Sequence, residues 1–301
     1  MNRIIFVPGK NPKPPVEQYR QMLLRCLRRG VERADPAVAQ EIEADSRAFQ
    51  LAGWNHLYYQ SDKPLNEDLP WVEALLTQDG PTRQDVREAL SLRSGVAWFL
   101  YTLADAFNVL IPLLPDPAVR ATIQETARYF SNDGDSGRQV RELLKAPLRE
   151  LFTRGDRILV IGHSMGSIVA YDALWELTHI EKHPGRVDLF LTIGSPLGMR
   201  FTQRRLLGTR EEEHRRYPHN IRHWINMTSH GDLTALDATL HNDYRAMLTS
   251  GVIESITDMN GGIFNFFRND LGLNVHRSYG YLVNPRVGEV IANWWKAGPA
   301  Q

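Results

Sequence analysis

Five residues near the middle of the chain carry the strongest chemical signal: Gly162-His163-Ser164-Met165-Gly166, a serine with a glycine two positions away on either side. Before them lies the short apolar run Arg157-Ile158-Leu159-Val160-Ile161. After them comes Ser167-Ile168-Val169-Ala170-Tyr171-Asp172-Ala173-Leu174-Trp175, in which Ile168, Tyr171, Ala173, Leu174 and Trp175 suit one packed helix face. The pattern predicts a buried strand, a sharp turn and a helix. A chain that reverses from strand to helix within about one residue strains its apex, so the positions flanking the apex must lack bulk. The apex hydroxyl is then held out above the sheet. The free N–H groups and positive end of the helix favour negative charge developing on a substrate oxygen there. Ser164 is the candidate nucleophile; the plainer reading is a glycine-rich turn with an incidental serine.

Gly162 to Leu174 resembles the nucleophile elbow of the α/β-hydrolase family, especially its lipase and esterase members. The resemblance covers residues 1–63 and 151–301. It implies an α/β-hydrolase fold: a mostly parallel central sheet with helices on both faces, and a nucleophile, an acid and a base in that order along the chain. Ile221 to Thr228 reads as the next strand, and Ser229-His230-Gly231-Asp232-Leu233 then sets Asp232 in the expected acid loop, where family members carry a similar Gly-Asp. Asp237 and Asp258 are its rivals, and a helix-capping role is the plain alternative. Val252 to Thr257 reads as the last strand. His276, in Asn274-Val275-His276-Arg277-Ser278-Tyr279 before a closing helix over Tyr281 to Trp295, stands where the base is expected.

The first oxyanion donor would be the N–H of Met165. The family takes its second from the loop after an early strand; here that loop follows Ile4 to Val7, and Gly9 or Lys10 must supply the donor because Pro8 has no N–H. Ser195, in the turn Gly194-Ser195-Pro196-Leu197-Gly198 after the apolar strand Val187 to Ile193, is a formal rival to Ser164 but lacks the elbow. His56, His219, His223, His230 and His241 remain. His219 and His223 are four apart but not on a helix, and with no acidic or cysteine partner in the pattern no metal site is expected. No cofactor is implied.

At 301 residues the chain can hold one large α/β domain, or a core with an insert. Lys and Arg total 35, as do Asp and Glu, so no net charge draws in nucleic acid, and none is expected as a partner. The arginine-rich face of a helix expected over residues 16–33 then reads as a solvated surface. The single Cys26 excludes an intrachain disulfide framework, and the apolar start is too short for a signal peptide, so a cytoplasmic protein is expected. Phe49 to Tyr59 reads as a further strand.

From Pro64 to Arg154 the pattern is helical and too long for one connection. Residues 64–150 are expected to form an inserted helical cap, with Ser131 to Gly137 as a hinge. Its centre, Val96 to Leu114, is apolar but interrupted by Asp105, Asn108 and Pro112, which argues against a membrane span. An extra buried core helix is the alternative. Such a cap suits an apolar or lipid-like acyl substrate or, more weakly, a membrane interface. The expected activity is a serine hydrolase acting on a carboxylic ester through Ser164, His276 and Asp232. A thioesterase or amidase would use the same three residues, and a non-catalytic binding protein that kept the fold is the reading from another class.

Overall fold

Short, β-branched, apolar segments separated by helical ones can bury both faces only in a parallel sheet whose connections cross over it. The computed structural model describes residues 1–93, 128–131, 135–235 and 238–298, and six such segments join in one sheet. They are β1 (Asn2–Val7), β2 (Phe49–Leu51), β3 (Arg157–His163), β4 (Val187–Ile193), β5 (Ile221–Met227) and β6 (Ser255–Met259). Their order is β2-β1-β3-β4-β5-β6, and every neighbouring pair is parallel.

Alternation along the strands divides the core. Ile4, Phe6, Leu159 and Ile161 face one layer, where they pack with α1 (Val16–Ala34), α2 (Pro36–Ala44) and the last long helix (Pro285–Lys296). Ile5, Val7, Ile158 and Val160 face the other. There they meet α3 (Trp54–Tyr59) and two long helices that flank β3: α6 (Ser136–Thr153) before it and α7 (Met165–His179) after it. The sheet is thus covered on both sides, as its apolar strands require.

Two further helices, α4 (Leu69–Thr77) and α5 (Arg83–Arg93), follow α3. Although α4 and most of α6 belong to the stretch read from the sequence as a cap, both pack into the layers. Val72 and Leu75 of α4 join the core beside α1, while Leu144, Leu148 and Leu151 of α6 are buried against the α7 side. The boundary expected at residue 150 falls inside α6. Val96 to Leu114 lies outside the described residues, and no described helix is long and apolar enough to cross a membrane.

Two expectations need correction. Phe49 to Tyr59 is a three-residue strand and then a helix, because Gly53 ends the strand and Trp54, Asn55 and Tyr58 share one buried helical face. The closing helix is broken as well: a short helix, Ser278–Leu282, stops before Asn284, whose side chain accepts from Arg286 N–H at 3.0 Å and starts the final helix with Pro285 in its first turn. That final helix is α8 hereafter.

This order of strands sets where a ligand can sit. From β1 the chain passes outward to β2 and returns to β3 on the opposite side of β1, so the loops leaving β1 and β3 diverge at the carboxyl edge. A crevice at such a switch point is the usual ligand position in open α/β sheets.

Candidate active site

Ser164 stands at that switch point, between the last residue of β3 and the first of α7. Its φ is 53° and its ψ −128°, a conformation L-residues rarely adopt and one that costs about 1–3 kcal/mol. The surroundings enforce it. A Cβ on Gly162 would come 2.7 Å from the Ser167 Cα, and one on Gly166 would collide with the Val7 carbonyl, so β3, α7 and β1 close on the turn only because both positions are glycine. Ser164 N–H donates to Ile193 O at 3.2 Å, and its carbonyl accepts from Ser167 N–H at 3.0 Å and from the Ser167 hydroxyl at 2.6 Å.

The serine is joined to a histidine and an aspartate that arrive from far along the chain. Ser164 Oγ lies 2.9 Å from His276 Nε2, and His276 Nδ1 lies 2.8 and 3.0 Å from the two Asp232 oxygens. Asp232 ends the turn after β5, and His276 precedes the helix Ser278–Leu282. Gly194, at φ 55° after β4, lets the acid and base close: a Cβ there would come 2.8 Å from Asp232 Oδ2 and 3.2 Å from His276 Nδ1. The structure therefore brings together Ser164, Asp232 and His276.

Asp232 is fully enclosed and fully served. Its Oδ2 accepts from the Tyr281 hydroxyl at 2.6 Å, and its Oδ1 accepts from Thr234 N–H at 3.0 Å and the Thr234 hydroxyl at 2.8 Å. Burial pushes the carboxyl up, but the facing His276 and these hydrogen bonds outweigh it and hold the group below its ordinary range. Tyr281 is kept protonated by burial and by the Asp232 charge, so it remains a donor, while its oxygen accepts from Ser229 N–H at 2.9 Å. An acid so held keeps its charge at neutral pH. It can orient an imidazole and stabilise its charged form.

His276 is anchored through its backbone. His276 O accepts from His163 Nε2–H at 2.8 Å, and His276 N–H donates to Asn274 Oδ1 at 3.1 Å. Burial, with His276 beside it, lowers the His163 pKa well below the usual histidine value, so His163 is neutral and its Nε2 carries the proton. The next residue, Arg277, donates to the buried Asp68 at 2.6 Å, and Asp68 also accepts from Lys63 Nζ at 2.8 Å and the Tyr279 hydroxyl at 3.2 Å. The turn before α4 thereby fastens the loop that carries His276.

No known protein family, curated protein or solved structure matches the chain.

The rivals have other work. Ser195 Oγ is 2.7 Å from Ser167 Oγ and accepts from Leu197 N–H at 3.2 Å, capping a turn. Asp258 accepts from Asn226 Nδ2 and from the N–H groups of Leu240 and His241 at 2.9–3.1 Å, and Asp237 lies outside the described residues. His56 pairs with Asp62 at 2.5 Å, His223 is 2.9 Å from Ser255 Oγ, His230 stacks on Phe264, and His241 donates to Ile256 O at 3.0 Å. His219 meets the rings of His179 and His214, but among the described residues no three His, Cys, Asp or Glu side chains gather as a metal site would need.

Of the expected oxyanion donors, Met165 N–H is the first of α7 and has no partner within a helix that starts there. Gly9 lies against Ser164, for a Cβ on it would come 2.9 Å from the Ser164 Cβ. Sequence reasoning missed Tyr281, Thr234 and His163. His163 alone carried a signal, as the variable position before the elbow serine.

Proposed function

We propose that the protein is a serine hydrolase of the α/β-hydrolase type that cleaves a carboxylic ester through Ser164, His276 and Asp232. The observation that carries the reading is the continuous chain from the Ser164 hydroxyl, on its strained turn, to His276 Nε2 at 2.9 Å and from His276 Nδ1 to Asp232 at 2.8 Å. A decayed site need not keep serine, acid and base together in this order and within hydrogen-bond reach.

The reaction follows from the proton positions. His276 Nδ1–H donates to the Asp232 carboxylate, which leaves Nε2 with a lone pair to accept from Ser164 Oγ–H. As Oγ forms a bond to the acyl carbon, its proton passes to Nε2, and the carbonyl oxygen takes the negative charge toward Met165 N–H and the N–H of Gly9 or Lys10. The tetrahedral species collapses with cleavage of the bond to the leaving oxygen, which receives the proton from Nε2 and departs as an alcohol. Water then gives a proton to Nε2, attacks the acyl carbon, and releases the acid as Oγ recovers its proton. Asp232 stays ionised throughout. The same steps act on a thioester or an amide, and the substrate is proposed to be a small-molecule or lipid-like acyl compound.

The acyl-enzyme gives a direct test. Mixing the protein with p-nitrophenyl acetate should release a burst of nitrophenol close to one equivalent. Mass spectrometry of the quenched protein should find an acetyl group on the peptide that carries Ser164. Steady release with no burst, and acetylation only of surface lysines, would contradict the reading.

A further inference from the structure

The loop that leaves β1 is held from one side by an uncommon set of donors. Trp54 Nε1–H donates to Pro8 O at 2.7 Å, and the Asn55 side-chain amide donates to Gly9 O at 2.7 Å and to Asn11 O at 3.0 Å. Lys13 Nζ donates to Lys10 O at 2.6 Å. Four consecutive carbonyls are therefore each fixed by a side chain. Trp54 and Asn55 are fully buried and open the first turn of α3, a helix in the core layer beside the sheet.

A trans peptide unit is planar, so its N–H points opposite to its C=O. Drawing Pro8 O and Gly9 O toward α3 turns the N–H groups of Gly9 and Lys10 away from it. Gly9 itself lies against Ser164 and His163, where an added Cβ would come 2.9 Å from each. Asn55 carries a second sign that stability alone did not select it. Among the described residues its Oδ1 is buried with no hydrogen-bond partner, a feature that costs about 1–3 kcal/mol where no donor reaches it and that an apolar side chain would avoid. What the amide supplies in return is its two donors, both spent on this loop.

We propose that Asn55, with Trp54, is a positioning residue that locks the loop after β1 so that its N–H groups face the acyl oxygen of a substrate on Ser164. This rests on the hydrolase reading above. Neither residue bonds to Ser164, His276 or Asp232, so their loss leaves the nucleophile and its base in place.

The test uses Asn55→Ala and Trp54→Phe in the full chain, the second keeping a ring in the pocket while removing only the donor. With p-nitrophenyl acetate, Asn55→Ala should lower kcat about 10- to 100-fold, less than deletion of an oxyanion donor itself, with KM within about threefold. A trifluoromethyl ketone, which adds to the serine and leaves an oxyanion in the same place, should bind more weakly by the same factor as kcat. Saturating fluorophosphonate should still label Ser164 to completion. Circular dichroism identifies the variants that fold; if Asn55→Ala does not, Trp54→Phe, with a loss of about tenfold, carries the same test. A folded Asn55→Ala, or Trp54→Phe in its place, with kcat within twofold of the parent would overturn the proposal, as would a loss seen in KM with ketone affinity unchanged. Failure of the hydrolase reading would look different: no labelling in the parent, or labelling that survives Ser164→Ala.

Discussion

Changing His276 to alanine should lower kcat on an activated ester by roughly five to six orders of magnitude, about as much as losing the whole catalytic set. The size follows from how the nucleophile is served. Among the described residues, His276 Nε2 is the hydrogen-bond partner of Ser164 Oγ, and no second base stands within reach. His163 cannot replace it, because its Nε2–H is committed to His276 O and burial keeps it a weak base. What survives is the stabilisation of the oxyanion by the turn and the loop after β1, which does not need the imidazole. Folding should survive too, since His276 is half-buried and the loop around it is fastened by Arg277 and Asp68. Pre-steady-state and steady-state rates on p-nitrophenyl acetate would check this. A loss below tenfold would assign the base elsewhere.

Asp232→Asn should cost about four orders of magnitude in kcat while leaving the shape of the site almost unchanged. The asparagine amide can present a donor to His276 Nδ1, which then holds a lone pair and puts the proton on Nε2, where Ser164 needs an acceptor. Relieving this by turning the amide sets its NH2 against Tyr281, which donates to Oδ2, or against Thr234, which donates to Oδ1. One of these donors is lost in either orientation, so the variant should also be less stable by about 1–3 kcal/mol. The pH dependence has a definite sign. The folded carboxyl has a pKa below its ordinary 3.8, so its contribution to stability is present above 3.8 and is lost as pH falls through the folded value. The asparagine variant should show a shallower loss of Tm on the acid side. Equal slopes for parent and variant would mean that Asp232 is not the low-pKa group.

The parts of this site that sequence made legible are those set by short-range rules. The Gly162–Gly166 spacing foretells a strained turn at Ser164, and short apolar segments place β1, β3, β4 and β5 within a residue or two of their observed ends. Order along the chain, with a family resemblance, points to Asp232 and His276. The support around them was not legible, because it depends on contacts between distant segments. Tyr281 meets Asp232 across 49 positions, and Asn55 meets Gly9 across 46. Residues 49–59 misled because an apolar run does not distinguish a strand from a short buried helix; Gly53 decides it only once the packing of Trp54 is known. Likewise the amphipathic pattern of α6 is the same for a cap helix as for a layer helix. Its place against α7 is a tertiary fact.

The most direct test of the central claim is labelling with a fluorophosphonate probe, which reacts only with an activated serine. The parent should label stoichiometrically, Ser164→Ala should not label while retaining the parent's circular dichroism, and His276→Ala should label at a rate lower by several orders of magnitude. Labelling of a folded Ser164→Ala at the parent's rate, or none in the folded parent, would contradict the assignment of Ser164 as an activated nucleophile.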